Sequence, residues 1–206
     1  MTRAQHWEAV YASKADHELS WFQPAPTVSL DFVQRLRPPP RSAIDIGGGQ
    51  SALAGELLRI GVEDVTVLDI SESAIARAKE RLGADASRVR WIVGDALGSH
   101  TLSLDLWHDR AVFHFLIDER DRRRYVDAAT RAVRPAGHAI VATFAPTGPE
   151  KCSGLPVRRY DADALAAEFA PWFTLVDAAT ETHSTPWGKP QDFTYVALRR
   201  FNAPTG

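Results

Sequence analysis

Gly47-Gly48-Gly49 is the feature that most narrows what this chain can become. The glycines follow an apolar run at residues 43–46 and precede a helical pattern at residues 51–60. A strand, a glycine turn and a helix in that order open the nucleotide-binding α/β folds. Glycine lets the backbone turn sharply and come close to a ligand, and the first amides of the following helix remain free to donate. The alternation then continues. A strand at residues 65–68, a helix capped by Ser71 and reaching Leu82, strands at residues 89–93 and 104–107, a helix through residues 125–133 and a strand at residues 138–144 follow in turn. This predicts a three-layer α/β sandwich with a mostly parallel sheet, helices on both faces and right-handed crossovers. A loop at residues 146–156, a helix at residues 161–169 and β-like runs at residues 173–178 and 193–198 complete the order, the last two as a terminal hairpin.

The 206 residues suit one domain of this class. No repeat or interdomain linker interrupts them, so residues 1–206 read as a single domain with a core at residues 41–200. Residues 1–40 read as an N-terminal helical lid or appendage. They carry Trp7, Tyr11, Trp21 and Phe22 among polar neighbours, then a helix from Thr27 to Arg37 that Pro38-Pro39-Pro40 ends. Charge limits the partners. Twenty-four Lys and Arg against 26 Asp and Glu leave −2 overall, without the footprint of a nucleic-acid binder. The run Arg120-Asp121-Arg122-Arg123-Arg124 reads as a solvated helix face. The N-terminus lacks the apolar core of a signal peptide, and no apolar run approaches the roughly 18 residues of a membrane span. The expectation is a cytoplasmic protein with no membrane partner.

The glycines alone do not choose a cofactor, because Gly47-x-Gly49-x-x-Ala52 also satisfies the relaxed dinucleotide fingerprint. Asp45 does discriminate. It puts a carboxylate two residues before the first glycine, where a pyrophosphate would be repelled and a cationic ligand attracted. S-adenosylmethionine (SAM) carries an ammonium and a sulfonium and no phosphate. Asp69, 20 residues beyond Gly49, ends the second strand where a carboxylate accepts from ribose hydroxyls. Asp95, in Gly94-Asp95-Ala96, can accept from an adenine amino group, and Ala96 leaves room for the ring.

With these residues in place the chain resembles the class I SAM-dependent methyltransferases. Ala43-Ile44-Asp45-Ile46-Gly47-Gly48-Gly49 is similar to their first motif, Val67-Leu68-Asp69-Ile70-Ser71 to their second-strand acid, and Gly94-Asp95-Ala96 to their adenine-contact motif. The resemblance implies a Rossmann-like sheet of seven strands with the last antiparallel. It also implies SAM as donor and S-adenosylhomocysteine (SAH) as product, with Asp45, Gly47, Gly48, Gly49, Asp69, Ile70, Asp95 and Ala96 binding the cofactor. Tyr11 or Trp21 could face the sulfonium, which aromatic rings attract.

For the acceptor, the segment from Asp105 to Phe115 gathers His108, Asp109, Arg110 and His114 at the end of the fourth strand, and these are the catalytic candidates. Asp109-Arg110 followed by an apolar residue and a helix is similar to the corresponding segment of thiopurine-type thiol methyltransferases. A histidine could take a proton from a hydroxyl or ammonium acceptor, with Asp109 fixing its ring, and Arg110 could favour an anionic thiol or selenol. Cys152 in the loop after the fifth strand, and His183 and Trp187 between the last two, are candidates for the acceptor pocket. No histidine spacing matches a zinc site, so no metal is expected. The reading is methyl transfer to a small molecule through S, N or O. A protein side chain such as lysine is the alternative acceptor. A nicotinamide-dependent oxidoreductase and a non-catalytic SAM-binding module are the alternatives of another class.

Overall fold

The computed structural model describes residues 2–98 and 101–201. Its centre is a seven-stranded sheet in the order β3-β2-β1-β4-β5-β9-β8. The elements are β1 (Ser42–Ile46), β2 (Asp64–Asp69), β3 (Val89–Val93), β4 (Leu104–Arg110), β5 (Val133–Phe144), β8 (Phe173–Ser184) and β9 (Pro190–Arg200). A two-stranded hairpin, β6 (Lys151–Cys152) with β7 (Leu155–Pro156), stands apart from it. Neighbours run parallel from β3 to β5, and β9 runs antiparallel to both β5 and β8. The strand order reverses between β1 and β4, which opens a crevice at their carboxyl ends.

Two apolar layers sandwich this sheet, as its buried central strands β1 and β2 require. Side chains alternate across a strand. Ala43, Val65, Val67, Leu106 and Ile140 therefore pack with α2 (Thr27–Arg35), α3 (Leu53–Arg59) and α4 (Glu72–Leu82) through Phe32, Leu57 and Ile75. Ile44, Ile46, Trp107 and Val141 face α5 (Glu119–Ala132) and α6 (Ala162–Glu168) through Tyr125, Ala129 and Leu165. Side-chain caps start α4 and α6: Ser71 Oγ accepts from Ala74 N at 3.1 Å, and Asp161 Oδ1 from Ala164 N at 2.8 Å. Helix α1 (Arg3–Ser13) begins in a capping box, with Gln5 N donating to Thr2 Oγ1 (3.2 Å) and Thr2 N to Gln5 Oε1 (2.9 Å). Among the described residues no helix is long and apolar enough to cross a membrane.

The structure departs from the sequence expectation mainly in element length. β4 runs on to Arg110. β5 starts at Val133, directly off α5, and absorbs a register shift opposite Leu104 and Leu106, with Ala136 at φ 65°. That irregularity is what Pro135 and Gly137 signal in the sequence. The terminal hairpin is longer than its apolar runs, pairing as far as Ser184 with Pro190. β8 is an edge strand, and the alternation of half-buried and exposed residues along it leaves no continuous apolar signal.

Candidate functional site

The carboxyl ends of the central strands open onto two adjoining clefts. The larger is a half-open cleft of about 770 Å³, counting the solvent at its mouth. Gly47, Asp69, Ile70, Asp95 and Ala96 line one part of it, and Val112, Phe115, Leu116 and Cys152 another, with Arg3, Trp7 and Tyr11 from α1. The smaller cleft is lined by Ser29, Asp45, Gln50, Ser51 and His108. Trp21, Ile46, Gly47 and Arg110 line both and so mark the junction.

The glycine turn is fixed by contact. Gly47 has φ +67°, in the left-handed region, and a Cβ there would lie 2.3 Å from Val112 Cγ2. A Cβ on Gly48 would lie 2.4 Å from Asp45 Oδ2, and one on Gly49 2.6 Å from the Ala74 Cβ. The turn is tied to β2 by Gly47 N donating to Leu68 O (2.7 Å) and Gly49 N donating to Asp69 Oδ2 (3.1 Å). Asp69 Oδ1 also accepts from Ser71 N at 2.9 Å. Burial still outweighs these donors and pushes the Asp69 carboxyl up to about 6.

Asp45 and His108 are register partners across the parallel β1–β4 ladder, so their side chains meet on one face. His108 Nδ1 lies 2.7 Å from Asp45 Oδ1, and its Nε2 lies 2.9 Å from Ser29 Oγ on α2. His108 is thus engaged at both nitrogens, on the side of the sheet that holds Asp45. Asp45 is 2% exposed, yet its Oδ2 has no hydrogen-bond partner, and neither does either polar atom of the buried Gln50 side chain. Buried polar atoms are rarely left so. Asp95 sits at the other end of the larger cleft, accepting from Leu97 N (2.9 Å) and lying 3.5 Å from Arg3 Nη1.

Beyond β4 the groups are differently disposed. Asp109 is turned to the opposite face from His108 and accepts from Val112 N (2.8 Å), Phe113 N (3.0 Å) and the Tyr125 hydroxyl. It braces a turn whose Ala111 has φ 73°, a strained conformation of the sort that gathers at functional sites. Burial raises its carboxyl to about 6. His114 is fully buried, its Nδ1 accepting from Phe144 N (3.3 Å), and burial lowers its ring to about 3. Arg110 donates from Nε to the Tyr195 hydroxyl and from Nη1 to the Trp21 carbonyl, each at 2.9 Å, while Nη2 has no hydrogen-bond partner and lies 3.8 Å from Glu181 Oε2. His183 Nε2 donates to Ser20 O at 2.8 Å, pinning the same loop. Burial raises the Cys152 thiol to about 11. Trp187 is 56% exposed and lines neither cleft.

Helix α1 packs beside these groups. Glu8 accepts from Ser71 Oγ (2.7 Å) and from Ser73 Oγ, and Arg3 pairs with Asp121 as well as Asp95. The Trp7 ring lies 4.9 Å from Phe115 and 5.8 Å from Trp21, centroid to centroid.

Residues 43–137 match the family described as a methyltransferase domain. That span holds the glycine turn, Asp45, Asp69 and Asp95, and the β4 end. Over that span the chain is similar to the class I methyltransferases. It is similar to the ribosomal protein L11 methyltransferase of Staphylococcus aureus (strain MRSA252), at 27% identity over 147 residues, covering 65% of this chain and 45% of that protein. The chain therefore spans less than half the length of that curated relative. Three solved structures share the fold of the methyltransferase domain. One comes from work on conversion of a disulfide bond into a thioacetal group during echinomycin biosynthesis (TM-score 0.77, 22% identity, 99% of this chain and 94% of that one). Another is the N-methyltransferase NodS from Bradyrhizobium japonicum WM9 with SAH (TM-score 0.72, 18% identity, 97% and 99%). The third is the 1,6-didemethyltoxoflavin-N1-methyltransferase from Burkholderia thailandensis with its substrate and SAH (TM-score 0.67, 19% identity, 97% and 84%).

Against this methyltransferase frame, the clefts also use residues that the sequence reading passed over. Gln50 gave no signal. Ser29 did, because it interrupts the buried face of α2 shared with Phe32 and Val33. Val112 and Phe115 became visible only when the turn after β4 placed them opposite Gly47 and Trp7.

Proposed function

We propose that the protein transfers a methyl group from SAM to a small-molecule nucleophile and releases SAH. The observation that carries the donor assignment is the buried, unpartnered Asp45 Oδ2 beside the unpartnered Gln50 carboxamide at the glycine turn. An ammonium offered to Asp45 Oδ2, with a carboxylate or the same ammonium against Gln50, would satisfy atoms that otherwise bear a desolvation cost. The amino-acid end of SAM supplies that pair of charges. Asp69 would then accept from the ribose and Asp95 from the adenine amino group, along the larger cleft. Bound SAM supplies a methyl carbon activated by positive sulfur, and the residues around it align the acceptor and keep water out. Trp21 and Tyr11 bring aromatic faces to that cleft. His108 and Ser29 hold Asp45 in place.

The small-molecule acceptor is supported by the largely apolar cleft, walled by Trp7, Phe115 and Cys152, and by fold neighbours such as the toxoflavin enzyme that act on small molecules. The echinomycin-pathway neighbour adds chemistry at sulfur. A protein acceptor is the second reading, favoured by the likeness to the L11 methyltransferase. Titration calorimetry with SAH and with NADH tests the donor: binding of SAH and not NADH is expected, and the reverse would return the chain to the dinucleotide enzymes.

A further inference from the structure

With a donor seated along Asp45, Asp69 and Asp95, the part of the larger cleft left for an acceptor is lined by Trp7, Trp21, Val112, Phe115 and Cys152. The charged groups beside it are already paired. Arg110 Nη2 lies 3.8 Å from Glu181 Oε2, and its other nitrogens donate to the Tyr195 hydroxyl and the Trp21 carbonyl. Glu181 also accepts from Gln23 Nε2 (2.6 Å) and the Tyr195 hydroxyl (2.9 Å). Arg3 pairs with Asp95 and Asp121. Burial keeps the Cys152 thiol protonated. A charged acceptor would give up its water here without an opposite charge from the protein to meet it. A cation would in addition face the donor's sulfonium, and an anion the negative faces of the rings.

What the wall offers is aromatic surface. Trp7 is its hub, with a centroid 4.9 Å from Phe115, 5.8 Å from Trp21 and 6.0 Å from Tyr11. Phe115 and Trp21 stand at 74° and 80° to it, so the cleft meets rings in more than one plane. A further ring packed edge-to-face or offset against them gains about 0.5–1.5 kcal/mol per pair beyond the area it buries. Trp7, Trp21 and Phe115 are only half-buried, and an entering ring would take that apolar surface out of water. Trp7, Tyr11 and Trp21 all precede residues 43–137, the span matched to the methyltransferase family.

We propose, resting on the methyltransferase reading, that the acceptor is an uncharged molecule carrying a flat aromatic ring, which Trp7 and Phe115 select by packing against it. The N-terminal segment then governs the choice of acceptor, while the glycine turn and the three strand-end acids serve the donor.

A matched set of two-ring probes tests this, by calorimetry at pH 7 on protein saturated with sinefungin, an unreactive SAM analogue with an ammonium where SAM has its sulfonium. 2-Naphthol is neutral and aromatic, 2-decalol neutral and saturated, 2-naphthoate an anion and 2-naphthylmethylamine a cation. The expected result is 2-naphthol bound at least tenfold more tightly than either ion and at least threefold more tightly than 2-decalol. Trp7→Leu and Phe115→Leu should each weaken 2-naphthol at least fivefold and leave sinefungin affinity within threefold. Phe115 lies outside α1, so its variant keeps the test where loss of Trp7 unseats that helix. Tighter binding of an ion overturns the uncharged assignment, and equal binding of 2-decalol overturns the aromatic one. Unchanged 2-naphthol affinity in both variants, or saturable binding of none of the probes, overturns the inference as a whole. A loss of sinefungin affinity as large as that of 2-naphthol overturns it too, by giving the rings to the donor. Failure of wild type to bind sinefungin overturns the methyltransferase reading along with it.

Discussion

Asp45 at the end of β1 and Asp109 at the end of β4 are both buried, lie on adjacent strands and sit one register step apart, but they are used in opposite ways. Asp109 spends its oxygens on two backbone amides and a tyrosine hydroxyl. Asp45 gives one oxygen to His108 and keeps the other without a partner at a cleft. The difference follows from the period of two along a strand. Asp45, His108 and Arg110 fall on the face that meets α2 and the smaller cleft, while Asp109 falls on the face that meets α5. Burial marks both acids, and only the open oxygen of Asp45 marks a place for a ligand.

The sharpest way to break the comparison is to delete both acids separately. Asp45→Ala should weaken SAH binding by up to about a hundredfold, since charge-assisted hydrogen bonds are worth up to about 3 kcal/mol, with the circular dichroism of the fold preserved. Asp109→Ala should do the reverse. It strands two amides and the Tyr125 hydroxyl in the core at a cost of about 3 kcal/mol, read as a lower denaturation midpoint, while folded protein still binds SAH. Equal effects of the two changes on SAH affinity would erase the distinction.

Asp69 sharpens it through pH. Its carboxyl titrates at about 6, and only the ionised form accepts from both ribose hydroxyls. SAH affinity should be level above about pH 6 and fall toward tenfold per unit below it. Stability runs the other way. The unfolded value lies near 3.9, so the native state holds the proton more tightly; this group's contribution is full below about 4 and is lost as pH rises through about 6. Titration calorimetry and thermal melts across pH 4–7, repeated on Asp69→Asn, check both slopes.

A smaller effect is expected at His108. Its replacement by alanine removes one partner of Asp45 and should weaken SAH binding about tenfold, near the 1.4 kcal/mol that one charged hydrogen bond contributes, with the acceptor KM unchanged. A shift in acceptor KM without one in SAH affinity would move His108 back to the acceptor side.

How far the sequence carried this reading depends on the range of the interaction involved. The sheet was legible because β1, β2 and β5 are largely apolar runs followed by helices, and the sequence placed Asp45, Asp69 and Asp95 at strand ends because the glycine turn and strand limits are local. Reading His108, Asp109 and Arg110 as one cluster ignored their alternation, which was in the sequence and assigns Asp109 to the other face. The Ser29–His108 contact spans two elements far apart in the chain, and the setting of the Arg110 guanidinium depends on Tyr195, Trp21 and Glu181 from three more. No periodicity encodes these.

The smallest effect belongs to Trp187, expected from the sequence to wall the acceptor pocket. That expectation assumed a long loop between the last two strands. The hairpin instead pairs out to Ser184 and Pro190, and what is left is a tight turn closed by Thr185 N to Lys189 O and Gly188 N to Thr185 O, each 2.8 Å, with Gly188 at φ 79°. A turn bound to itself in this way cannot fold over the cleft without giving up its own hydrogen bonds. Trp187→Ala should change stability by no more than about 0.5 kcal/mol and leave SAH affinity and methyl transfer within twofold of wild type. His183, only a few residues earlier, is buried and bound to the loop that carries Trp21. Its alanine variant should impair turnover where that of Trp187 does not, and a loss of turnover in Trp187→Ala would put the end of this hairpin into the acceptor wall.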